Sequence, residues 1–221
     1  MSALSQTSDH LTIDSEQKLV SIEPDLSDRL ALIDGQLIYY PNFLHRLAPH
    51  LFTALEEQLS WHQGQIKLFG KMVTIPRLQA WYGDADAVYR YSQVALQPQP
   101  WHWLLSGLKY HCQQVANQRF NSVLANFYRH QQDSMGWHSD NEKELGQQPV
   151  IASLSFGCER SFCLRHNITG EKHQLALKSG SLLIMRGALQ QQWQHAVPKS
   201  RRPMSGRINL TFRFIDAKLT K

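Results

Sequence analysis

The stretch RINLTFRF, residues 207–214, alternates polar and apolar side chains without a break. Because successive side chains of a β-strand point to opposite faces, the stretch predicts a strand with one polar and one apolar face. The polar face carries Arg207, Asn209, Thr211 and Arg213, and the apolar face carries Ile208, Leu210, Phe212 and Phe214. The apolar face must meet a core. Unpaired guanidinium groups are costly to bury, so the polar face is expected to bind an anion.

Short alternating runs of the same kind begin at residue 122. Clusters of Gly, Asn, Asp, Lys and Ser separate them at intervals typical of an all-β sandwich or jelly roll. The runs are SVLANFYRH (122–130), VIASLSFG (150–157), SFCLRH (161–166), HQLALK (173–178), SLLIMRG (181–187), WQHAV (193–197) and RINLTFRFI (207–215). The fold is therefore expected to be mainly β, of the α+β class, with polar side chains lining an interior.

Two amphipathic helices are predicted before these strands, in PNFLHRLAPHLFTALEEQLSW (41–61) and WHWLLSGLKYHCQQVANQ (101–118). The first has an apolar residue at every fourth position, despite Pro49 near its start. Its stripe comprises Phe43, Leu47, Leu51, Leu55 and Leu59, and that of the second comprises Trp101, Leu104, Leu108, Cys112 and Val115. Both stripes are interpreted as packing surfaces.

The first thirty residues are polar and acidic and lack sustained periodicity. They predict a flexible tail over residues 1–30, followed by one domain over 31–221. A signal peptide is not expected, because the sequence does not begin with a cationic stretch followed by an apolar core. A membrane span is not expected either, because no apolar run approaches the roughly 18 residues that it needs. The three cysteines form no CxxC pair, which favours a reducing compartment. We therefore expect an intracellular, cytoplasmic monomer (nuclear in a eukaryote) that does not enter a membrane.

The net charge of the chain is +5 and its pI is about 9.2. Since the first thirty residues are acidic, the remainder is more basic than the whole. A basic body attracts polyanions, which makes a nucleic acid a candidate partner. The alternative is that moderate basicity only aids solubility.

The stretch GWHSDNEKELG (136–146) places His138 and Asp140 two positions apart. In an extended chain both side chains point the same way, towards one possible metal ion. A second imidazole would complete the facial triad of non-heme Fe(II) oxygenases, which leaves coordination positions open for co-substrate and oxygen. We expect His195, on a late predicted strand, to supply it. The rival candidates are His130, His166 and His173.

The run ANFYRH places Asn126 and Tyr128 on the same face of another predicted strand. They add neutral hydrogen-bond donors to the two arginines and Asn209 near the end of the chain. Arginine binds carboxylates through paired, charge-assisted hydrogen bonds. Together these residues suit a small dicarboxylate.

The combination of NxY, HxD, a distal histidine and RxNxTFR resembles the AlkB family of Fe(II)- and 2-oxoglutarate-dependent dioxygenases, which demethylate nucleic acids. The resemblance covers roughly residues 65–215, and the segment LFGKMVTIPRLQAWYGD looks like the branch that repairs duplex DNA. It implies a double-stranded β-helix (jelly roll) core over about 122–217, supported by N-terminal helices, with a nucleotide-recognition lid over about 65–95.

The resemblance also assigns roles to the residues. It implies that His138, Asp140 and His195 bind iron. Arg207, with Asn126 and Tyr128, would hold the far carboxylate of 2-oxoglutarate, and Arg213 with Asn209 would steady its metal-chelating end. The implied reaction consumes O2, converts 2-oxoglutarate to succinate and CO2, and releases the methyl group of an alkylated base as formaldehyde.

Substrate contacts are also predicted. A base in a duplex has to be flipped out to reach a buried metal ion. Glu142 is expected to meet the exocyclic amine of the base, Trp81 and Tyr82 to contact its ring, and Phe69 to wedge into the stack. The candidate phosphate contacts are Lys71, Arg77, Arg129, Lys199, Arg201 and Arg202.

Two other functions remain open. The same site could serve a hydroxylase or demethylase of RNA, protein or a small molecule. The fold could also serve a non-catalytic binding protein, although such a protein is expected to have lost a ligand or an arginine, and none is missing. The variable segments, such as Asn141 and the run QQQWQ (190–194), leave the substrate preference undecided.

Overall fold

The computed structural model describes residues 13–68, 70–87, 89–91 and 94–220 and consists mainly of β-strands, with a few helices between them. The helices are α1 (Glu16–Val20), α2 (Ala48–Gln58), α3 (Trp103–Ala116) and α4 (Leu189–Gln192), with short 3₁₀ helices at Lys143–Leu145 and Ala217–Thr220. The strands are β1 (Leu30–Leu32), β2 (Leu37–Tyr40), β3 (Gln65–Leu68), β4 (Lys71–Thr74), β5 (Leu78–Gly83), β6 (Tyr89–Tyr91), β7 (Val94–Leu96), β8 (Ser122–Tyr128), β9 (Met135–His138), β10 (Ile151–Gly157), β11 (Arg160–His166), β12 (Lys172–Leu177), β13 (Ser181–Met185), β14 (Trp193–Val197) and β15 (Arg207–Arg213).

Two antiparallel sheets form the centre of the fold. The large sheet has the order β1-β2-β13-β10-β15-β8-β5, and the small sheet has the order β12-β11-β14-β9. Alternate residues of β10 belong to different cores: Ile151 packs with residues of the small sheet, whereas Ala152 and Leu154 pack with α2 and α3. The large sheet is thus covered by helices on one face and by the small sheet on the other. This arrangement confirms the predicted jelly roll.

The two predicted helices are present but shorter than their sequence patterns. α2 begins at Ala48, because Pro49 suits the first turn, where its missing N–H is not needed. Phe43 and Leu47 precede the helix and are still buried in the core. α3 ends where Asn117 adopts a left-handed conformation with φ 49°. Within the described residues, no helix is both long and apolar enough to span a membrane.

The predicted flexible tail is wrong for its second half. Residues Glu16–Val20 form α1, whose Leu19 is fully buried against α3. His111 of α3 bonds through Nε2 to the Leu19 carbonyl oxygen at 2.8 Å, and Gly107 leaves space for the leucine side chain. A helix of one and a half turns is too short to show an amphipathic period in the sequence. The burial of its single leucine could therefore not be predicted. Residues 1–12 lie outside the described residues, and their flexibility stays a prediction.

The segment predicted as a lid, about 65–95, contains parts with different positions in the fold. Leu78–Gly83 form β5, which pairs with β8 at the edge of the large sheet and therefore belongs to the core. The strands β3 and β4 form a separate two-stranded hairpin, and so do β6 and β7. The two hairpins remain candidates for a lid, which stays a prediction.

Candidate metal centre and adjoining cavities

Neighbouring strands of the small sheet bring the predicted triad together. β9 pairs with β14 so that His138 lies directly opposite His195, with ring centroids 4.2 Å apart. Asp140 lies two residues beyond His138, where the chain has left the strand. One ligand atom from each side chain lies within 4.8 Å of the others, a spacing that could hold a metal ion. His195 and Asp140 are buried and His138 is half-buried.

His138 presents Nε2 because its other ring nitrogen is engaged. Nδ1 lies 2.8 Å from the carbonyl oxygen of Gly136, which can only accept, so Nδ1 carries the proton. The lone pair of Nε2 is then left for a metal ion. A backbone carbonyl that orients an imidazole in this way is typical of metal sites.

The carboxylate of Asp140 is ionised and oriented by Arg213. Arg213 donates from Nη2 to Asp140 Oδ1 at 2.7 Å, and both side chains are buried. Burial alone would raise the pKa of Asp140, but Arg213, with smaller contributions from His195 and His138, outweighs it and holds this pKa below its usual value. The carboxylate is therefore in the protonation state that metal binding requires.

His195 is uncharged at neutral pH. Burial, aided by His138, lowers the pKa of His195 to about 3, although Asp140 opposes the shift. The 3.8 Å approach of His195 Nε2 to Asp140 Oδ2 is therefore not an ion pair at neutral pH. A neutral imidazole beside an ionised carboxylate is a donor set that suits Fe(II).

The polar face of β15 provides a buried anion-binding group. Pairing with β8 places Tyr128 opposite Arg207 and Asn126 opposite Asn209, as the alternation of both strands predicts. Arg207 is 1% exposed, donates from Nη2 to Ser155 Oγ at 2.9 Å, and lies over the Tyr128 ring with its central carbon 5.2 Å from the centroid.

Two guanidinium nitrogens of Arg207 have spare hydrogen-bonding capacity, although the Tyr128 side chain lies within reach of the guanidinium. No described residue accepts a well-formed hydrogen bond from its Nε or Nη1. Burial lowers the pKa of Arg207, while the nearby Tyr128 favours the charged form. A buried guanidinium with two unused donors fits a carboxylate, which supports the 2-oxoglutarate assignment.

The two asparagines differ in how much of their hydrogen bonding is used internally. Asn126 Oδ1 accepts from Arg77 Nε at 2.7 Å and from Gln79 Nε2 at 3.2 Å, which leaves Nδ2 as its donor end. Asn209 Nδ2 donates to Ser153 Oγ at 2.8 Å and to a backbone carbonyl of β10 at 3.0 Å. Asn209 therefore stabilises the sheet beneath the site, whereas Asn126 lines the inner cavity and uses only its oxygen in these bonds.

Two cavities meet at the triad. The inner cavity lies between the sheets and is lined by Asn126, Tyr128, His195, Asn209 and Thr211. The outer cavity is lined by Arg77, Gln79, Trp81 and Glu142. The residues common to both are Leu124, Met135, His138, Asp140 and Arg213. A metal ion in the triad would therefore face both cavities.

The structure separates the three predicted base contacts. Trp81 and Glu142 line the outer cavity, as their predicted roles require. The structure contradicts the predicted base contact of Tyr82. This residue lies in the core against the helices, where its hydroxyl oxygen accepts a hydrogen bond from the backbone N–H of Ser60 at 2.8 Å. Adjacent side chains of β5 point to opposite faces, and the side chain of Tyr82 is on the face that packs against the helices.

Some of the predicted phosphate contacts are buried or already paired, and others are exposed. Arg77 is 4% exposed and donates from Nη1 to the Ser134 carbonyl at 3.1 Å, which contradicts a surface contact with phosphate and makes it part of the cavity wall. The guanidinium of Arg129 is paired with Asp133 at 2.7 and 3.0 Å. The exposed candidates are Lys71, Lys199, Arg201 and Arg202. The proposed wedge, Phe69, lies outside the described residues.

The rival histidines lie away from the triad. His166 and His173 flank Trp193, with ring centroids 5.0 and 5.3 Å from it, and line a separate polar groove. His130 is exposed. Among the described residues, only the predicted triad forms a group of three ligands that could hold a metal ion.

Several residues that support the site are absent from the residues predicted from the sequence. Ser153 and Ser155 are the hydrogen-bond partners of Asn209 and Arg207. The alternation in VIASLSFG indicates them, because it places small polar side chains beside the polar face of β15. Arg160 donates to the carbonyls of Asp133 and Pro198 at 2.8 and 2.7 Å, and nothing in its neighbourhood in the sequence indicates this.

Known proteins share this fold and much of this sequence. The family model of the 2OG-Fe(II) oxygenase superfamily matches residues 36–213. Human alpha-ketoglutarate-dependent dioxygenase alkB homolog 3 is 37% identical over 207 residues, which are 89% of this chain and 69% of that protein. Human DNA oxidative demethylase ALKBH2 is 37% identical over 179 residues, 76% of this chain and 69% of that protein. The solved structure of OsALKBH1 matches 80% of this chain and 97% of its own with a TM-score of 0.54 at 16% identity, which supports the fold.

The family accounts for the geometry of the site. A 2OG-Fe(II) oxygenase uses Fe(II), 2-oxoglutarate and O2, and the triad and the unused donors of Arg207 fit the first two. The match extends across both sheets and includes every predicted ligand. This chain belongs to the AlkB-like branch of the 2OG-Fe(II) oxygenase superfamily and is a dioxygenase.

Proposed function

We propose that this enzyme removes alkyl groups from N-alkylated bases in DNA, such as 1-methyladenine and 3-methylcytosine, by oxidative demethylation. The observation that supports it best is the meeting of two cavities at the triad. The inner cavity suits a dicarboxylate, and the outer one can present a second molecule to the same metal ion. DNA is favoured as the substrate because one relative is named a DNA oxidative demethylase.

The proposed iron ligands are His138, Asp140 and His195. Bound there, Fe(II) with O2 and 2-oxoglutarate supplies the oxidising chemistry that yields succinate and CO2 and releases the methyl group as formaldehyde. Arg207 and Asn126, with Tyr128, would hold the far carboxylate of 2-oxoglutarate. Tyr128 lines the inner cavity and Arg207 lies over its ring, so the two would act together.

The outer cavity is proposed to receive a flipped base. Trp81 offers apolar ring surface, and Glu142 places a carboxylate at the same wall. Because 1-methyladenine and 3-methylcytosine are cationic, a carboxylate attracts them more than it attracts an undamaged base. Methylation has also spoiled their pairing, which lowers the cost of flipping. Both effects favour damaged bases.

Exposed basic residues are proposed to contact the DNA backbone. Lys71 begins the second strand of the β3–β4 hairpin, and Lys199, Arg201 and Arg202 lie on the loop that follows β14, the strand of His195. Such residues position a nucleic acid without reading its sequence. Binding that depends on them should weaken as salt concentration rises.

The test is formaldehyde release from methylated oligonucleotides, compared across single- and double-stranded DNA and RNA. We expect release from DNA that requires Fe(II) and 2-oxoglutarate. Faster release from RNA than from either form of DNA would overturn the DNA assignment, and release from none of them would overturn nucleic-acid demethylation.

The same assay tests the triad. Asp140→Ala should abolish turnover and leave the fold largely intact, because Asp140 lines a cavity. An exposed aspartate outside the predicted lid and both cavities, Asp14, provides the matched control, and Asp14→Ala should retain activity. Sustained 2-oxoglutarate decarboxylation by Asp140→Ala would show that the triad is misassigned.

A further inference from the structure

We infer that Gln190 is a positioning residue for the metal centre, which holds the backbone of Asp140 so that its carboxylate meets the metal ion together with the two imidazoles. The inference rests on the proposed metal site. Gln190 belongs to α4, in the run QQQWQ immediately before His195.

The amide of Gln190 is buried and directed at Asp140. Gln190 is 1% exposed, and its Oε1 accepts a hydrogen bond from the backbone N–H of Asp140 at 2.9 Å. Its Nε2 lies 3.5 Å from the sulfur of Met185, a weak acceptor that receives the donor end of the amide. Both contacts indicate that the oxygen of the amide, and not its nitrogen, faces Asp140.

Asp140 needs this contact because no strand holds it. β9 ends at His138, so the backbone of Asp140 lies outside the ladder that aligns His138 with His195. The preceding residue, Ser139, donates from Oγ to the Trp193 carbonyl at 2.9 Å. Two consecutive residues are thus attached to the segment that leads into β14, and through it to the third ligand.

Asp140 is consequently fixed at both ends. Gln190 holds its backbone, and Arg213 holds Oδ1 of its carboxylate. Arg213 by itself cannot fix the position of the main chain, since an aspartate has two side-chain torsions through which the backbone can move. Ligand distances in metal sites lie within about 0.2 Å of their typical values, so freedom of the backbone is expected to weaken binding.

The neighbouring glutamines differ from Gln190. Gln191 and Gln192 are both exposed, and Gln191 bonds to the Gln147 carbonyl at the surface. Of three consecutive identical residues, one is directed inward and touches the metal site. Gln192 therefore provides a matched control on the same short helix.

The experiment compares Mn(II) binding by the apo forms of the unsubstituted protein, Gln190→Met and Gln192→Met. Methionine keeps most of the volume of glutamine and removes the oxygen acceptor. Loss of a contact that orients a metal ligand typically weakens metal binding about 10- to 100-fold, which is the loss expected for Gln190→Met. Gln192→Met should bind Mn(II) like the unsubstituted protein.

A second readout separates positioning from a general loss of structure. At saturating Co(II), the visible absorption band reports coordination geometry, and it should shift in Gln190→Met but not in Gln192→Met. An unchanged Mn(II) affinity and Co(II) band in folded Gln190→Met would overturn the inference and leave the metal site intact. Mn(II) binding that is equal in the unsubstituted protein and in Asp140→Ala would instead overturn the metal site itself.

Hydrogen exchange tests the contact even if Gln190→Met does not fold. In the unsubstituted apo protein the Asp140 amide should be protected, although it lies outside the strand ladder, because Gln190 accepts its hydrogen bond. Exchange of that amide at the rate of an unstructured chain would overturn the inference.

Discussion

Replacing Arg207 by lysine tests the co-substrate pocket directly, because lysine keeps the charge and loses the planar pair of donors. The structure leaves Nε and Nη1 of Arg207 without a well-formed partner among the described residues, while Nη2 is engaged by Ser155. If these donors bind a carboxylate of 2-oxoglutarate, Arg207→Lys removes at least one charge-assisted hydrogen bond, worth about 1.5–3 kcal/mol. The KM for 2-oxoglutarate should then rise about 10- to 150-fold.

The assay measures formaldehyde release as a function of 2-oxoglutarate concentration at a saturating methylated oligonucleotide. The KM for the oligonucleotide should change little, since Arg207 does not line the outer cavity. Ser155→Ala is the control, because it removes the partner of Nη2 and leaves the other two donors in place, so its KM for 2-oxoglutarate should change much less. An unchanged 2-oxoglutarate requirement in folded Arg207→Lys would refute the reasoning and place the carboxylate elsewhere.

Three further predictions concern other parts of the molecule. Tyr82→Phe should lower the free energy of unfolding by about 0.5–1.5 kcal/mol, because it removes the hydrogen bond from the exposed Ser60 N–H; it should leave the KM for methylated DNA unchanged, and a changed KM in a stable variant would restore the base contact. Burial lowers the pKa of His111 below 6.5, although its bond to the Leu19 carbonyl opposes the shift. Below pH 6.5 the unfolded chain therefore binds more protons at His111, and the contribution of this residue to stability falls as the pH falls, by at most about 1.4 kcal/mol per pH unit. His111→Gln should flatten this slope in thermal melts of the apo protein, and an unaltered slope would contradict the assignment. Phe69→Ala, predicted from sequence alone, should impair repair of duplex DNA more than repair of a single strand; equal losses would indicate a structural role.

The anion-binding face could be predicted because it depends only on strand alternation. Every second residue from Arg207 to Arg213 shares a face, and the pairing of β15 with β8 places Asn126 and Tyr128 beside that face. The period of two determines these positions wherever one face of the strand is buried. His138 and His195 also share one face of the small sheet, but the register of β9 with β14 is what brings them directly opposite each other.

Elements whose pattern is too short or is shared by two interpretations could not be predicted. α1 has five residues, fewer than the two turns over which an amphipathic period becomes visible, so the burial of Leu19 had no signal. The run LQAWYG suits a lid as well as an edge strand, because both expose part of their surface. The pairing of β5 with β8 shows that this run is an edge strand. It also explains why the side chains of Trp81 and Tyr82 lie on opposite faces of the sheet.

The partner of a buried arginine is also beyond what the sequence alone can decide. A guanidinium makes the same charge-assisted bonds to a carboxylate of the protein as to one of a ligand, so RxNxTFR indicates anion-binding residues without naming their anions. In the structure Arg213 donates to Asp140, whereas Arg207 keeps two donors unused by the described residues. Substitution of Arg213 would therefore disturb a proposed metal ligand as well as the inner cavity, and its effect on 2-oxoglutarate could not be separated from an effect on iron. Hydrogen bonds and ion pairs of Arg207 within the described residues involve no member of the triad, so the change in KM that follows its substitution is the clearer report on the co-substrate.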